Sequence, residues 1–262
     1  MTTIIARSAE SVHWYRQDGA PQYTVKAKNG TDRSTTLKDA RTMNLVPSVT
    51  TILKISAKPG LEAWKLEQML LAALTLPKRA EETEKEFINR VVADSKETGK
   101  QAAERGTRIH ESIEKWFTGN QKVEHREISK AFAETISSHF KTPEDQPWQV
   151  ERAFASGLGY GGKIDLYCEP DMVAQTGIVI DAKTKEFGPD DSIAAYDEHL
   201  MQLAAYRYGL GLNHARCANV FASVTYPGLI KVVEWPEEDL KRGWEMFQCL
   251  LKFWKLKHNF GS

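Results

Sequence analysis

Residues able to do hydrolytic chemistry gather between Gly157 and Tyr206. Within that stretch, Gly177-Ile178-Val179-Ile180-Asp181-Ala182-Lys183 delivers an acid, a small spacer and a lysine after four apolar or small residues. Runs of Ile and Val of this kind read as a strand buried on both faces. Alternation then puts Asp181 and Lys183 on one side, with Ile180 and Ala182 on the other. A charge is costly to bury unless it is paired or bound to an ion, so this placement calls for a purpose. A second acid, Asp165, lies 181 − 165 = 16 positions earlier, after four glycines in the six residues 157–162. That interval suffices for two strands and a turn, and antiparallel pairing would bring both carboxylates to one sheet end. Either acid alone reads as a solvated turn residue. Together, two oxygen donors beside an amine suit a hard divalent cation and the activation of a water.

Several elements must position these groups. Trp148 to Ala155 alternates as a strand and carries Glu151, which either assists the metal or lysine or forms a salt bridge with Arg152 or another neighbour. Ser192 to Leu210 reads as a helix on which Gln202 and Tyr206, four apart, share a face. Thr98 to Phe117 reads as a helix whose stripe is Ala102, Gly106, Ile109, Ile113 and Trp116. His110 stands beside that stripe, one turn after Gly106; by itself, such a histidine is more often a hydrogen-bonded core residue than a ligand. Upstream, Ser11–Tyr15 and Gln22–Lys26 suggest two strands around Asp18-Gly19, and Asn29-Gly30 marks a turn. Ser48 is expected to cap a helix that Pro59-Gly60 ends, followed by Leu61–Leu74 with Trp64 in the core and a charged helix over Glu81–Ser95. Glu127–Phe140 reads as a further helix; Cys217–Val224 and Leu229–Trp235 complete the strands, and Pro236 leads into the last helix. The expected fold is α/β: a mixed central sheet flanked by helices, behind a mainly helical N-terminal region. It is expected to be a single unit, with residues 1–147 as elaboration and 148–262 as the sheet core.

The order Gly162-x-x-Asp165, Asp181-x-Lys183, Gln202-x-x-x-Tyr206 resembles the PD-(D/E)XK nuclease superfamily, and within it the RecB-like exonuclease branch. Arg105-Gly106-Thr107-Arg108-Ile109-His110 resembles the histidine-bearing helix of that branch. Pro47-Ser48-Val49-Thr50-Thr51-Ile52-Leu53 is similar to the N-terminal part of phage-encoded members and of the mitochondrial genome maintenance exonuclease. The resemblance implies a restriction-endonuclease-like core and a deoxyribonuclease, an exonuclease serving recombination, repair or replication. It implies Mg²⁺ or Mn²⁺ held by His110, Asp165, Asp181 and the backbone carbonyl of Ala182; a nitrogen ligand tilts the choice towards Mn²⁺. Lys183 would orient or deprotonate the attacking water, while Gln202 and Tyr206 would hold Lys183 and the substrate phosphate. The implied partners are DNA and, among proteins, a helicase, a recombinase or a single-strand-binding protein. Three alternatives stay open: an endonuclease of the same superfamily, a non-catalytic nucleic-acid-binding or assembly protein with a retained ion site, and a structural α/β protein in which Lys183 merely salt-bridges Asp181 and no ion binds.

Composition bounds these readings. The chain has 262 residues and a formal net charge of zero, which argues against coating nucleic acid by charge alone. Residues 1–58 nevertheless lean basic, with nine Lys and Arg against four Asp and Glu. No stretch approaches the ~20 apolar residues of a membrane helix, and the start, Met1 to Arg7, lacks a basic-then-apolar signal, so a cytoplasmic setting is expected. Cys168, Cys217 and Cys249 fit neither a zinc pattern nor a disulfide framework, which suggests a reducing compartment. They are too few for the four-cysteine iron–sulfur cluster of some RecB-like relatives. No Gly-x-x-x-x-Gly-Lys-Ser/Thr is present, so no P-loop motor is encoded in this sequence.

Overall fold

Two short strand pairs and five helices precede the main sheet. The computed structural model describes residues 13–57, 59–143, 145–171 and 175–261. The readings made for Met1–Arg7 and for Ser11 and Val12 lie outside them. Strands β1 (Trp14–Tyr15), β2 (Thr24–Lys26) and β3 (Asp32–Ser34) lead to helix α1 (Leu37–Thr42) and strand β4 (Val46–Pro47). The reversal expected across Asp18-Gly19 is present, with Tyr15 bridging Pro21 antiparallel and the Gln22 N–H donating to the Trp14 carbonyl at 2.8 Å, but the longer pairings lie elsewhere: β2 pairs with β3 around Asn29-Gly30, and β1 pairs with β4. Gly30, at φ +81°, supplies the tight reversal for the first pair. Trp14 and Tyr15 are buried, and Trp14 packs on Trp254 and Phe260, so β1 is drawn into the core.

The Ser48 hydroxyl accepts the Thr51 N–H at 3.0 Å and caps α2 (Val49–Leu53), as the sequence suggests. Pro59 does not end that helix; it opens α3 (Pro59–Thr75), where a missing N–H costs nothing. Trp64 is not core: it is 36% exposed, and Leu66 and Leu70 more so, because α3 packs chiefly on α4 (Glu84–Phe117) and not on the sheet. The two helices read over 81–95 and 98–117 are one. Thr83 and Glu86 cap it reciprocally, and Lys96 and Glu97 are ordinary helix formers with no breaker between the two halves. Helix α5 (Arg126–Phe140) follows.

The sheet is built from β5 (Gln149–Ser156), β6 (Tyr160–Cys168) and β7 (Ile178–Lys185). Helix α6 (Asp197–Gly209) then crosses over to β8 (Arg216–Ser223), β9 (Ile230–Trp235) and the final helix α7 (Glu237–His258). The strand order is β5-β6-β7-β8-β9, antiparallel except for the parallel β7–β8 pair that the α6 crossover requires. Helix α6 begins at Asp197, five residues later than expected. The preceding loop is tied down by Gly188 N–H on the Asp191 carboxylate (2.7 Å) and by Lys231 Nζ on the Pro189 carbonyl (2.9 Å). One sheet face packs on α2, α6 and α7 through residues such as Ile164, Val179 and Cys217. The other packs on α4 and α5 through Leu166, Ile180, Ala182 and Val220. Arg207, fully buried, reaches Glu237 at 2.6 Å and links α6 to α7. No helix among the described residues is long and apolar enough to cross a membrane.

Candidate active site

Strands β6 and β7 pair through Cys168–Ile178, Tyr167–Val179 and Leu166–Ile180, and the ladder stops there. The next residues are Asp165 and Asp181, so both carboxylates stand where the two strands part. Strand β6 keeps its pairing with β5, while Gly161 beyond the gap bridges Ser48. The carboxylate of Asp165 accepts the Ala182 N–H at 2.8 Å. This contact ties the motif of β6 to that of β7 across the opening.

Asp181 is 2% exposed and surrounded by donors. Its Oδ2 lies 2.6 Å from Lys183 Nζ and accepts the Asn219 amide at 2.8 Å; its Oδ1 accepts the Gln202 amide at 2.9 Å. Gln202 uses every polar atom it has. Its Nε2 also donates to the Tyr206 hydroxyl (2.9 Å), and its Oε1 accepts from Lys183 (3.3 Å). Burial, with the charges of Asp181 and Asp165 next, raises the Tyr206 pKa and keeps the phenol neutral. Asn219 escaped sequence reasoning. It sits beside Asp181 in the parallel β7–β8 register, is fully buried, and accepts the Trp235 indole N–H at 2.7 Å. An indole only donates, so it fixes the amide with Oδ1 towards Trp235 and Nδ2 towards Asp181. A buried Asn in a strand, level with an acid of the neighbouring strand, was the available signal, but it needs the register to be read. Asn219→Ala is expected to free the Asp181 carboxylate, weaken divalent-metal binding by about tenfold and lower stability by roughly 1–3 kcal/mol. Calorimetric metal titration and thermal melts check both.

His110 approaches from the opposite face. Gly106 brings α4 against β7: a Cβ there would stand 2.9 Å from Thr184 Oγ1. One turn on, His110 Nδ1 lies 3.8 Å from Asp165 Oδ2. His110, Asp165, Glu151 and Glu114 line one small cavity. Glu151 forms an ion pair with Lys163 across β5–β6, from a left-handed backbone at φ 53°. It therefore partners Lys163, not Lys183. Asp165 is the uncomfortable member of the group. Burial, followed by repulsion from Asp181, raises its pKa, and His110 and Lys183 offset this only in part.

A family model described as the PD-(D/E)XK nuclease superfamily matches residues 66–242, which include all of these side chains. The chain belongs to the PD-(D/E)XK nuclease superfamily. No curated protein matches it. Among solved structures, one titled "Crystal structure of SSO0001" is similar at 17% identity and a TM-score of 0.26, covering 72% of this chain and 86% of that one.

Membership marks the chain as a nuclease of mixed α/β fold, and PD-(D/E)XK nucleases generally use divalent metals. Among the described residues, no three His, Cys, Asp or Glu side chains are gathered as a preformed metal cluster. The residues present nevertheless fit such an ion. The charged form of Asp165 is only partly compensated by its surroundings, an imidazole stands beside it, and carboxylate oxygens are the donors hard cations take. Lys183 meanwhile compensates Asp181. The superfamily's glycine also has a physical reason here. A Cβ on Gly162 would fall 2.8 Å from Tyr206 Cε1 and 2.9 Å from Phe154 Cε1. Gly162→Ala is expected to displace the Tyr206 ring and with it Gln202, costing about 1–3 kcal/mol by overpacking and about tenfold in cleavage rate. Melting curves and initial rates test this, and Gly161→Ala, which would meet the Phe154 carbonyl at 2.7 Å, should disturb the strand without reaching Gln202.

Proposed function

We propose that this chain is a divalent-metal-dependent deoxyribonuclease, an exonuclease of RecB-like type acting in DNA recombination, repair or replication. The observation that carries the reading is the meeting of Asp165, Asp181, Lys183 and Gln202 where β6 and β7 part, with His110 delivered from α4. Asp165, Asp181, His110 and the Ala182 carbonyl would hold Mg²⁺ or Mn²⁺, and the ion would supply charge neutralisation for the phosphate and a more acidic bound water. The protein's own groups do the rest. Lys183 is braced by Asp181 and by the Gln202 carbonyl oxygen, which points its ammonium at one place and removes its rotamer freedom. From there it orients the attacking water and stabilises charge on the phosphate oxygens. Tyr206, kept neutral, anchors Gln202 and so positions Lys183 indirectly. Glu151 acts on Lys163 at the edge of the same cavity.

The test uses end-labelled linear, circular and single-stranded DNA with EDTA, Mg²⁺ or Mn²⁺. Metal-dependent loss of linear DNA with circles spared is the expected result. Cleavage of circles would replace exonuclease by endonuclease, and binding without cleavage would leave a nucleic-acid-binding protein.

A further inference from the structure

We propose that His13 and Tyr23, flanked by Lys54 and Lys163, form a subsite that grips single-stranded DNA beside the scissile phosphodiester. Only the identity of the ligand rests on the nuclease reading; the site itself is defined by the following contacts. A continuous line of groups leads to it from the catalytic centre. Tyr206 lies against Gly162, and a Cβ on neighbouring Gly161 would stand 3.0 Å from Tyr15 Cβ. The Tyr15 hydroxyl meets the Tyr23 hydroxyl at 2.8 Å, and the Ser48 N–H, from the residue that bridges Gly161, donates to the His13 carbonyl at 2.9 Å.

The two outer rings are stacked and held. His13 and Tyr23 have centroids 4.7 Å apart at 29°, while Tyr15, buried, braces Tyr23 edge-on at 88°. Neither ring belongs to either hydrophobic core, and His13 is exposed. A stacked pair that buries little apolar surface in the fold is a platform on which another flat ring can continue the stack.

Two basic groups reach this platform. Partial burial lowers the His13 pKa, and the charges of Lys54 and Lys163 lower it further, so both ammonium groups act on this imidazole. Lys163 is shared with Glu151. Aromatic rings between basic groups, continuous with a hydrolytic centre, match a nucleic-acid strand whose bases are free to stack. A duplex keeps its bases occupied and could use only the charges.

The test is fluorescence anisotropy in EDTA with labelled oligothymidylate, so that a chain holding no metal would still give the result and the two readings fail separately. The His13→Ala/Tyr23→Ala double variant should bind about tenfold more weakly than the parent. His13→Phe and Tyr23→Phe, which keep the rings, should stay within about twofold. On an abasic oligomer of equal length and charge, the parent's advantage over the double variant should vanish. Lys163→Ala should lower the salt dependence by about one unit on both oligomers. Oligouridylate, which also carries free bases, should show the same loss in the double variant, and blunt duplex little. Undiminished binding by the double variant would overturn the subsite. A loss that persists on the abasic oligomer, or phenylalanine variants as weak as alanine, would do the same.

Discussion

Lys183→Ala is expected to lower metal-dependent cleavage by about 10³ or more, within the range that a positioned proton-transfer group contributes, while the protein stays folded. The reason lies in what surrounds the lysine. Asp181 retains two amide donors, Asn219 and Gln202, after the ammonium is gone, so the buried carboxylate is not left bare. Asp181→Ala should be as inactive and less stable. It removes the acceptor of three groups at once, and each orphaned buried donor costs roughly 1–3 kcal/mol. Asp181→Asn does not repair this, because one amide cannot accept from Gln202 on one side and Asn219 on the other. Initial rates on labelled DNA, with circular dichroism melts of each variant, separate the chemical loss from the structural one. Undiminished nuclease activity in both alanine variants would remove these residues from the reaction.

Asp165→Asn is expected to separate stability from activity in the opposite sense. Burial and the Asp181 charge raise the folded-state pKa of Asp165 above its unfolded value. The native state therefore holds this proton more tightly than the unfolded chain. The stability so gained is fully present below the unfolded value and is lost as pH rises from there through the folded one. Above that interval and without metal, the charged Asp165 is a net strain on the fold. An asparagine can still accept the Ala182 N–H but carries no charge, so the metal-free variant should melt higher, by the roughly 2–4 °C that 1 kcal/mol produces in a domain of this size. It should be inactive, and divalent metal should no longer raise its melting temperature. A parent whose metal-free stability did not fall with rising pH across that interval, or a variant melting below the parent, would show that Asp165 is not destabilised by its neighbours.

What could be read in the sequence was local. The strand ending Asp181-Ala182-Lys183, the glycine-led strand of Asp165 and the Ser48 cap follow from periodicity and side-chain chemistry over a few residues. The long-range choices were less accessible. Trp14 and Tyr15 pair with a strand some thirty residues away, where the Trp14 ring is sheltered by Trp254 and Phe260, and no turn signal announces that. Trp64 carries the periodicity of a buried residue yet stays partly exposed, since its ring lies over Gly99 of α4 and α3 packs chiefly on that one helix. Asn219 and Trp235 take meaning only from their register against Asp181, which depends on how α6 sets the parallel pair. The α4 continuity was hidden by charge: Lys96 to Gly99 reads as a break in an apolar stripe, but ordinary helix formers carry the helix across it, and Trp64 of α3 packs over Gly99.

We propose that His110, Asp165 and Asp181 share one divalent ion. Calorimetric titration of the DNA-free protein with Mn²⁺ measures it without any substrate. One site is expected in the parent, lost in Asp165→Asn and Asp181→Ala and weakened in His110→Ala, with Lys183→Ala retaining it. Mn²⁺ uptake unchanged by all three ligand substitutions, or no uptake by the parent, would contradict the account.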